Sequence, residues 1–169
     1  MADFTCDPTY LAPTGFKILI DRENYPNIQF FAQQVLHPSM DINPAEQNYR
    51  RVGSIVTPGD TITFGTVTMD VLMDENMNVY QEMYDWIKRL VETNHRQNTG
   101  RLYTRDTDAL ASYSDITVSV LTSHNNVSRS FKYVNALPIS LGDITFAATQ
   151  EAQYITFPIS FRFDYFDFV

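Results

Sequence analysis

Apolar and polar side chains alternate along most of the chain, a pattern typical of β-strands with one buried face. The clearest run lies near the C-terminal end, where the apolar positions are Ile155, Phe157, Ile159, Phe161, Phe163 and Tyr165. Pro158 lies inside this run and has no N–H to donate, so we expect the strand to be unpaired or bulged on one side there. The pattern predicts a long strand at this end of the chain.

Further segments alternate in the same way. Ile116–Val120 and Val127–Val134 predict a hairpin whose turn is His124-Asn125-Asn126. Phe16–Ile20 and Ile28–Leu36 predict an opening pair of strands, because a polar, Pro-containing segment joins them.

A long hairpin is predicted at about 49–69. Thr57-Pro58-Gly59-Asp60 places Pro and Gly where a type II turn requires them, so Tyr49–Val56 is expected to pair with Thr61–Met69. Gly65 lies where the apolar register of the second strand changes by one residue, which predicts a bulge.

One segment has helical periodicity instead. Asp74 and Glu75 suit the positive end of a helix, and Asp85 with Arg89 predicts an ion pair at i, i+4 on the solvent side. We therefore expect a helix at about 78–94 that covers the apolar face of the strands, in a mainly β fold. The apolar side of this helix is formed by Val79, Tyr80, Met83, Trp86, Ile87, Leu90 and Val91.

Length and composition limit the class of protein. A chain of 169 residues predicts a single domain over 1–169, and we expect a flexible N-terminal arm at 1–14. Lys plus Arg number 12 against 20 Asp plus Glu, and the net charge of −8 argues against a protein that grips nucleic acid through its phosphates. We expect neither a signal peptide nor a membrane span, and the single cysteine, Cys6, excludes an intrachain disulfide.

No residue pattern indicates catalysis or metal binding. The three histidines, His37, His95 and His124, are not spaced as metal ligands, and no Gly-rich phosphate loop or nucleophile elbow occurs. We therefore expect no enzyme, no cofactor and no metal. The basic loop with Arg101 and Arg105 is either a contact to an acidic partner or neighbouring subunit, or a solvated loop.

A series of short segments follows in a fixed order along the chain: Gly59-Asp60, Ile62, Phe64, Asp74-Glu75, Tyr84-Asp85-Trp86, Leu137-Pro138, Leu141-Gly142 and Phe163-Asp164-Tyr165-Phe166. Taken in order, these segments resemble the tail tube proteins of contractile-tailed bacteriophages of the myovirus type, over about 15–168. Baseplate proteins that initiate the tube carry a comparable Pro-Ile-Ser segment, here Pro138-Ile139-Ser140, and secretion-system needle proteins share the architecture. A chain of this length leaves no room for the extra domains of an initiator, which favours the tube subunit.

The resemblance implies a β-sandwich or half-barrel with a flanking helix. It implies hexameric rings that stack into a hollow tube inside a contractile sheath, with sheath, baseplate and tail terminator proteins as partners. Duplex DNA would pass through the lumen without specific binding, in a virion tail assembled in the host cytoplasm. The expected subunit contacts are Tyr49, Arg50, Arg51, Val52, Ile55, Arg101 and Arg105.

Three alternatives stay open at the level of sequence. A tube initiator or terminator would form one ring and stop. A monomeric β-barrel that binds a ligand would enclose a cavity lined by aromatic side chains. An enzyme would need a cleft that gathers Asp, Glu and His, or a bound metal.

Overall fold

The computed structural model describes residues 11, 14–21, 25, 27–50, 53–98, 113–147 and 154–169. These residues form strands, a single-turn helix and one long helix. Their order is β1 (Phe16–Leu19), α1 (Ile28–Phe31), β2 (Ala32–Leu36), β3 (Met40–Ile42), β4 (Ala45–Tyr49), β5 (Gly53–Thr57), β6 (Ile62–Phe64), β7 (Val67–Leu72), α2 (Asn78–Asn98), β8 (Ser114–Leu121), β9 (Val127–Leu141), β10 (Thr156–Arg162) and β11 (Tyr165–Phe168).

Strand β9, 15 residues long, belongs to both halves of the main antiparallel sheet. Its first part pairs with β8 and β11 and, with β1, forms sheet A. Its last part pairs with β10 and continues through β7 to β2, in the order β9-β10-β7-β2, which we call sheet B. The predicted mainly β fold with a flanking helix, consistent with a β-sandwich or half-barrel, is confirmed.

A cluster of polar residues marks the bend between the two halves. Asn135 adopts a φ of 55°, and the register of β8 against β9 shifts beside it. Its N–H donates to Asp115 Oδ1 at 3.1 Å, and its side-chain amide donates to Asp164 Oδ2 at 2.8 Å. Asn tolerates this left-handed conformation, so the residue type suits the bend. A hydrogen bond from Lys132 lowers the pKa of Asp115.

The core lies between the apolar faces of the two sheets and one side of α2. Trp86 stacks on Tyr25 at a ring distance of 4.2 Å and lies 6.0 Å from Phe161, while Tyr80 meets Phe157 edge-on. Sheet B is buried on one face only, as its alternation predicts. The buried residues of β7 and β10 are Val67, Met69, Val71, Phe157, Ile159 and Phe161.

Helix α2 begins where the sequence predicts and ends later, at Asn98. Asp74 accepts a hydrogen bond from the N–H of Val79 at 3.3 Å, which fits a carboxylate at the positive end of a helix. Arg89 donates to the hydroxyl of Tyr25 at 2.5 Å. Arg89 therefore packs against the sandwich, and its predicted place on the solvent side, paired with Asp85, is wrong.

The long hairpin exists, but its predicted pairing is wrong. β4 pairs with β5 from Ala45–Thr57 to Tyr49–Gly53, and β3 pairs with β6, so the hairpin spans 40–64. The last pair of this ladder is Tyr49 with Gly53, and Gly53 has a φ of 89° that glycine adopts at little cost. The signal at Pro58-Gly59 marks instead a break in the ladder between β5 and β6, because proline cannot continue it.

Two other predicted features differ from the structure. β1 pairs with β8 and β2 pairs with β7, so the predicted opening pair does not form, and part of its second strand is the turn α1. No bulge forms at Gly65: its N–H donates to Ser39 O at 2.9 Å, and the register is the same in the pair of β3 with β6 and in the pair of β2 with β7. The hairpin of β8 and β9 is confirmed, with Asn125 at a φ of 60° in its turn.

Pro158 lies on the side of β10 where β9 ends. The Gly142 N–H donates to Pro158 O at 2.7 Å, just beyond the end of β9 at Leu141. The N–H and C=O of one strand residue point to the same side, so the donor that Pro158 lacks would face the end of the ladder. On that side Pro158 accepts one hydrogen bond and donates none, and the ladder with β9 ends there.

Gly142→Ala should destabilise the fold because the new Cβ would lie 2.3 Å from Pro158 Cγ. We expect the free energy of unfolding to fall by about 1–3 kcal/mol, as for an overpacked core, measured by urea denaturation of unassembled protein. Pro158→Ala removes the ring atoms and serves as the partner in a double-mutant cycle. If Gly142→Ala lowers the free energy of unfolding equally in wild type and in Pro158→Ala, the clash with the proline ring is not the cause.

Candidate assembly surfaces

The hairpin 40–64 presents apolar side chains to solvent. All residues of β3 and β4 are exposed, as are four of the five in β5. A two-stranded ribbon without a covering layer is marginal in water, and its edges carry unpaired backbone groups. The hairpin is therefore a candidate contact surface. Its large apolar side chains, 41–60% exposed, are Met40, Ile42, Tyr49, Ile55, Val56 and Ile62.

Aromatic side chains hold the root of this hairpin against the main sheet. The ring of Phe64 lies 5.6 Å from that of Phe163 and 5.4 Å from that of Phe166. Ring pairs at such distances are stabilising beyond their buried area. The root of the hairpin is packed on the main sheet although its tip is exposed. The hairpin therefore extends from the main sheet in a defined direction.

His37 forms the second attachment of the root. Its ring lies 4.6 Å from Phe131 and 4.9 Å from Phe166, and its Nδ1 is 2.7 Å from the Tyr133 hydroxyl. Burial lowers the pKa of His37 below its ordinary value of 6.5 and raises that of Tyr133. The imidazole is therefore neutral at pH 7 and acts as a polar aromatic ring in the cluster. The sequence shows His37 only as a histidine without metal-ligand spacing, so this contact is not predicted from it.

The predicted contact residues fall into two groups. Tyr49 and Ile55 lie on β4 and β5 near the tip, 55% and 41% exposed, and Arg50 follows Tyr49 in the turn. The structure brings these three together at one end of the hairpin. The other predicted contacts, Arg51, Val52, Arg101 and Arg105, lie outside the described residues.

Sheet B has a free edge on each side within the described part of the chain. β2 is hydrogen-bonded to β7 only. Residues 137–141 of β9 are bonded to β10 only, because the pairing of β9 with β8 ends at Ala136. All neighbours are antiparallel, so β2 and β9 run in opposite directions at the two edges. Alternation cannot identify an edge, since it reports faces and not partners.

Most side chains on the face of sheet B that points away from the core are polar, and its apolar residues are Leu36, Leu72, Leu137 and Pro158. Thr68 Oγ1 and Ser160 Oγ lie 3.4 Å apart across β7 and β10. Asp70 lies on β7 between Gln34 and Pro158 in the register. The face carries one carboxylate and one guanidinium in the four strands. Its polar residues are Gln34, Thr68, Asp70, Ser140, Thr156, Ser160 and Arg162.

Polar contacts also attach one side of α2 to the segment before β2. Asn27 donates its side-chain amide to Glu82 Oε1, and Arg89 binds Tyr25. Burial raises the pKa of Glu82 and that of Tyr25. These four side chains contact each other beneath the helix, so they fix the position of α2 on the sheet.

The described residues contain no group of three or more His, Cys, Asp or Glu side chains that could hold a metal ion. Among those same residues, no helix combines the length and apolar character needed to cross a bilayer. His124 lies in the exposed turn beside Ser123, and the side chain of His95 is outside the described set.

Comparison with protein families gives one match over nearly the whole chain. The model of the phage tail tube protein family matches residues 7–169. A comparison with curated proteins by sequence found no match.

Solved structures with a similar fold come from contractile injection systems. A chain of the PVC sheath-tube complex of an extracellular contractile injection system, in the extended state, has a TM-score of 0.68 at 15% identity, covering 96% of this chain and 93% of that one. A chain of the tube terminating cap of the anti-feeding prophage has a TM-score of 0.68 at 16% identity, with coverages of 99% and 96%. A chain of the anti-feeding prophage baseplate has a TM-score of 0.60 at 10% identity, with coverages of 91% and 90%. At these identities the likeness concerns the fold.

The free energy of unfolding should fall more steeply on acidification in the wild-type protein than in a variant without His37. Because the folded pKa of His37 is lowered, the unfolded chain binds the proton better, and the contribution of His37 is complete above pH 6.5 and decreases below it. We expect the free energy of unfolding to drop between about pH 7.5 and about pH 5.5, and to drop less in His37→Gln. Denaturant titrations at both pH values measure this. His124→Gln is the matched control, and a His37→Gln profile parallel to wild type would contradict the assignment.

Proposed function

The chain belongs to the phage tail tube protein family, and we propose that it forms hexameric rings that stack into the inner tube of a contractile tail. It is thus a structural tube protein of a phage-like tail particle and not an enzyme. The observation that supports the ring is sheet B, which has a mostly polar face away from the core and, among the described residues, a free edge on either side.

The two free edges of sheet B support ring closure. β2 and residues 137–141 of β9 have five residues each and run in opposite directions. An adjacent copy can therefore place its β2 beside this β9 in an antiparallel pair. Such a head-to-tail contact closes when the rotation between copies divides a full turn, and closure removes the sheet edges.

The polar face of sheet B supports a lumen wall. In a closed ring one face of the continuous sheet points inward, and the other already packs on sheet A and α2. Hydroxyl and amide groups would line the passage, with Asp70 on a central strand. Duplex DNA carries about one charge per 1.7 Å, so a wall without a basic surplus lets it pass without being held.

The hairpin 40–64 supports the axial contacts between rings. Its apolar tip with Tyr49, Arg50 and Ile55 extends from a root fixed by aromatic side chains. We assign Arg51, Val52, Arg101 and Arg105 to the same class of contact. A stack of rings needs heterologous contacts of this kind, in which different surfaces of two copies meet.

The proposed tube implies a set of partner proteins. A sheath outside it, a baseplate that starts it and a terminator that stops it are the proteins we expect to bind, in a virion tail assembled in the host cytoplasm. Solved structures with this fold come from a sheath-tube complex, a baseplate and a tube terminating cap, which supports this set.

Purified protein at high concentration should form hollow tubes about 100 Å across, an outer size expected for six small domains around a passage as wide as DNA. Negative-stain electron microscopy with class averages measures the width and the rotational symmetry. Six-fold averages support the hexamer. Single rings that do not stack would identify an initiator or terminator, and monomers at all concentrations would contradict the proposal.

Asp70→Lys should convert the passage into one that retains DNA. Six copies change the lumen by about 12 charges per ring, and each phosphate neutralised adds salt-dependent affinity. We expect tubes of this variant to retain a short labelled duplex at low salt and to release it at high salt, measured by sedimentation. Glu75→Lys makes the same charge change in the exposed turn before α2. Equal retention by both variants would show that Asp70 does not face the passage.

A further inference from the structure

A groove open to solvent lies between α2 and the free edge of β9. It encloses about 610 Å³ and is bordered by apolar side chains of both elements, with Lys88 as the charged residue of its lining. Tyr84, Val91 and Ile139 are 51%, 63% and 47% exposed. Large apolar side chains gathered in one groove beside a free strand edge indicate a covered surface in the assembled state.

A bulge in β9 aims one of these side chains into the groove. The register against β10 shifts between Ser160 and Phe161, so Ile139 has no partner residue in β10. A bulge of this kind turns the extra residue out of the ladder. The bulge costs backbone pairing with β10, and an apolar contact of the Ile139 side chain outside the sheet would offset that cost.

The two sides of α2 have different neighbours. Glu82 and Arg89 lie on one side, where they bind Asn27 and Tyr25 in the segment that leads into α1. Tyr84, Ile87 and Val91 lie on another side, as the helical period requires, and line the groove. One side of the helix is therefore attached to the α1 segment of its own chain, and the other side is open.

We propose, on the basis of the ring assembly above, that the groove receives a second copy of this chain through its residues 28–36. When β2 of that copy pairs with β9, Ala32 and Val35 emerge on the core side of the joint, because their partners Val71 and Met69 are buried. Leu141 is on the same side, opposite the buried Ile159.

The direction of the chain then brings α1 of the incoming copy to the groove. α1 directly precedes β2 and contacts β1 and β7 of its own chain, so it lies on the core side of sheet B. Phe31 at the end of α1 is partly exposed in the single chain. Each α2 thus lies between its own α1 segment and that of the next copy, which forms a continuous belt around the ring.

A photoreactive phenylalanine analogue at position 84 identifies the segment that occupies the groove in the assembly. Irradiated assemblies should give a cross-link between copies, and tandem mass spectrometry should map it to residues 28–36. A cross-link to hairpin 40–64 or to any other segment would overturn the assignment, as would the absence of a cross-link between copies in intact rings. If the wild-type chain forms no rings at all, the proposed ring fails first, so the two failures are distinguishable.

Charge substitution gives an independent measurement. Tyr84→Asp should raise the protein concentration needed for rings by about tenfold or more, because a carboxylate would be buried in an apolar contact. Gln81→Asp is the matched control, since Gln81 is an exposed α2 residue that does not line the groove. Analytical ultracentrifugation measures both, and circular dichroism of the unassembled variants shows that they fold. Equal concentrations for the two variants would overturn the proposal.

Discussion

Strand β9 lies between two neighbours, β8 and β11, over Phe131–Val134. Its pairing with β8 ends at Ala136, and over residues 137–141 β10 is its single neighbour among the described residues. The change occurs at the bend where Asn135 takes a positive φ and binds Asp115 and Asp164. This bend leads the chain from one half of the sheet into the other and leaves a strand edge with no partner in the described part of the chain. The free edge, the groove beside it and the orientation of sheet B all depend on it.

The burial of one face of sheet B determines what the other face can be. Phe157, Ile159 and Phe161 point into the core, so Thr156, Pro158, Ser160 and Arg162 must point away from it. Among the described residues this sheet is apolar on one side, mostly polar on the other and free at both edges, which suits a subunit of the proposed ring. In that ring the same four strands would supply both the joint between copies and the surface of the passage.

Sequence reasoning identified the elements better than their partners. Alternation predicts β8, β9 and β10, and the helical period predicts α2, because side-chain faces are local properties. It could not find that β1 pairs with β8, since about a hundred residues separate them and alternation contains no information on partners. The predicted pairing of the hairpin is wrong because Pro58-Gly59 has the residues of a type II turn, whereas the pairing of β4 with β5 ends at Gly53. Of the contact candidates, Tyr49, Arg50 and Ile55 lie exposed at the tip, but the free edges and the groove are products of tertiary structure.

The root of the hairpin determines how a mechanical load would pass through the subunit. The hairpin strands continue covalently into β2 and β7 of sheet B, while Phe64 and His37 press on aromatic rings of β9, β11 and the bend before it. A pull on the tip therefore reaches both sheets at once, and sheet A takes a share of the strain. In the proposed tube, the passage would therefore keep its width during a sudden axial shock, because the outer half of the sandwich supports its wall.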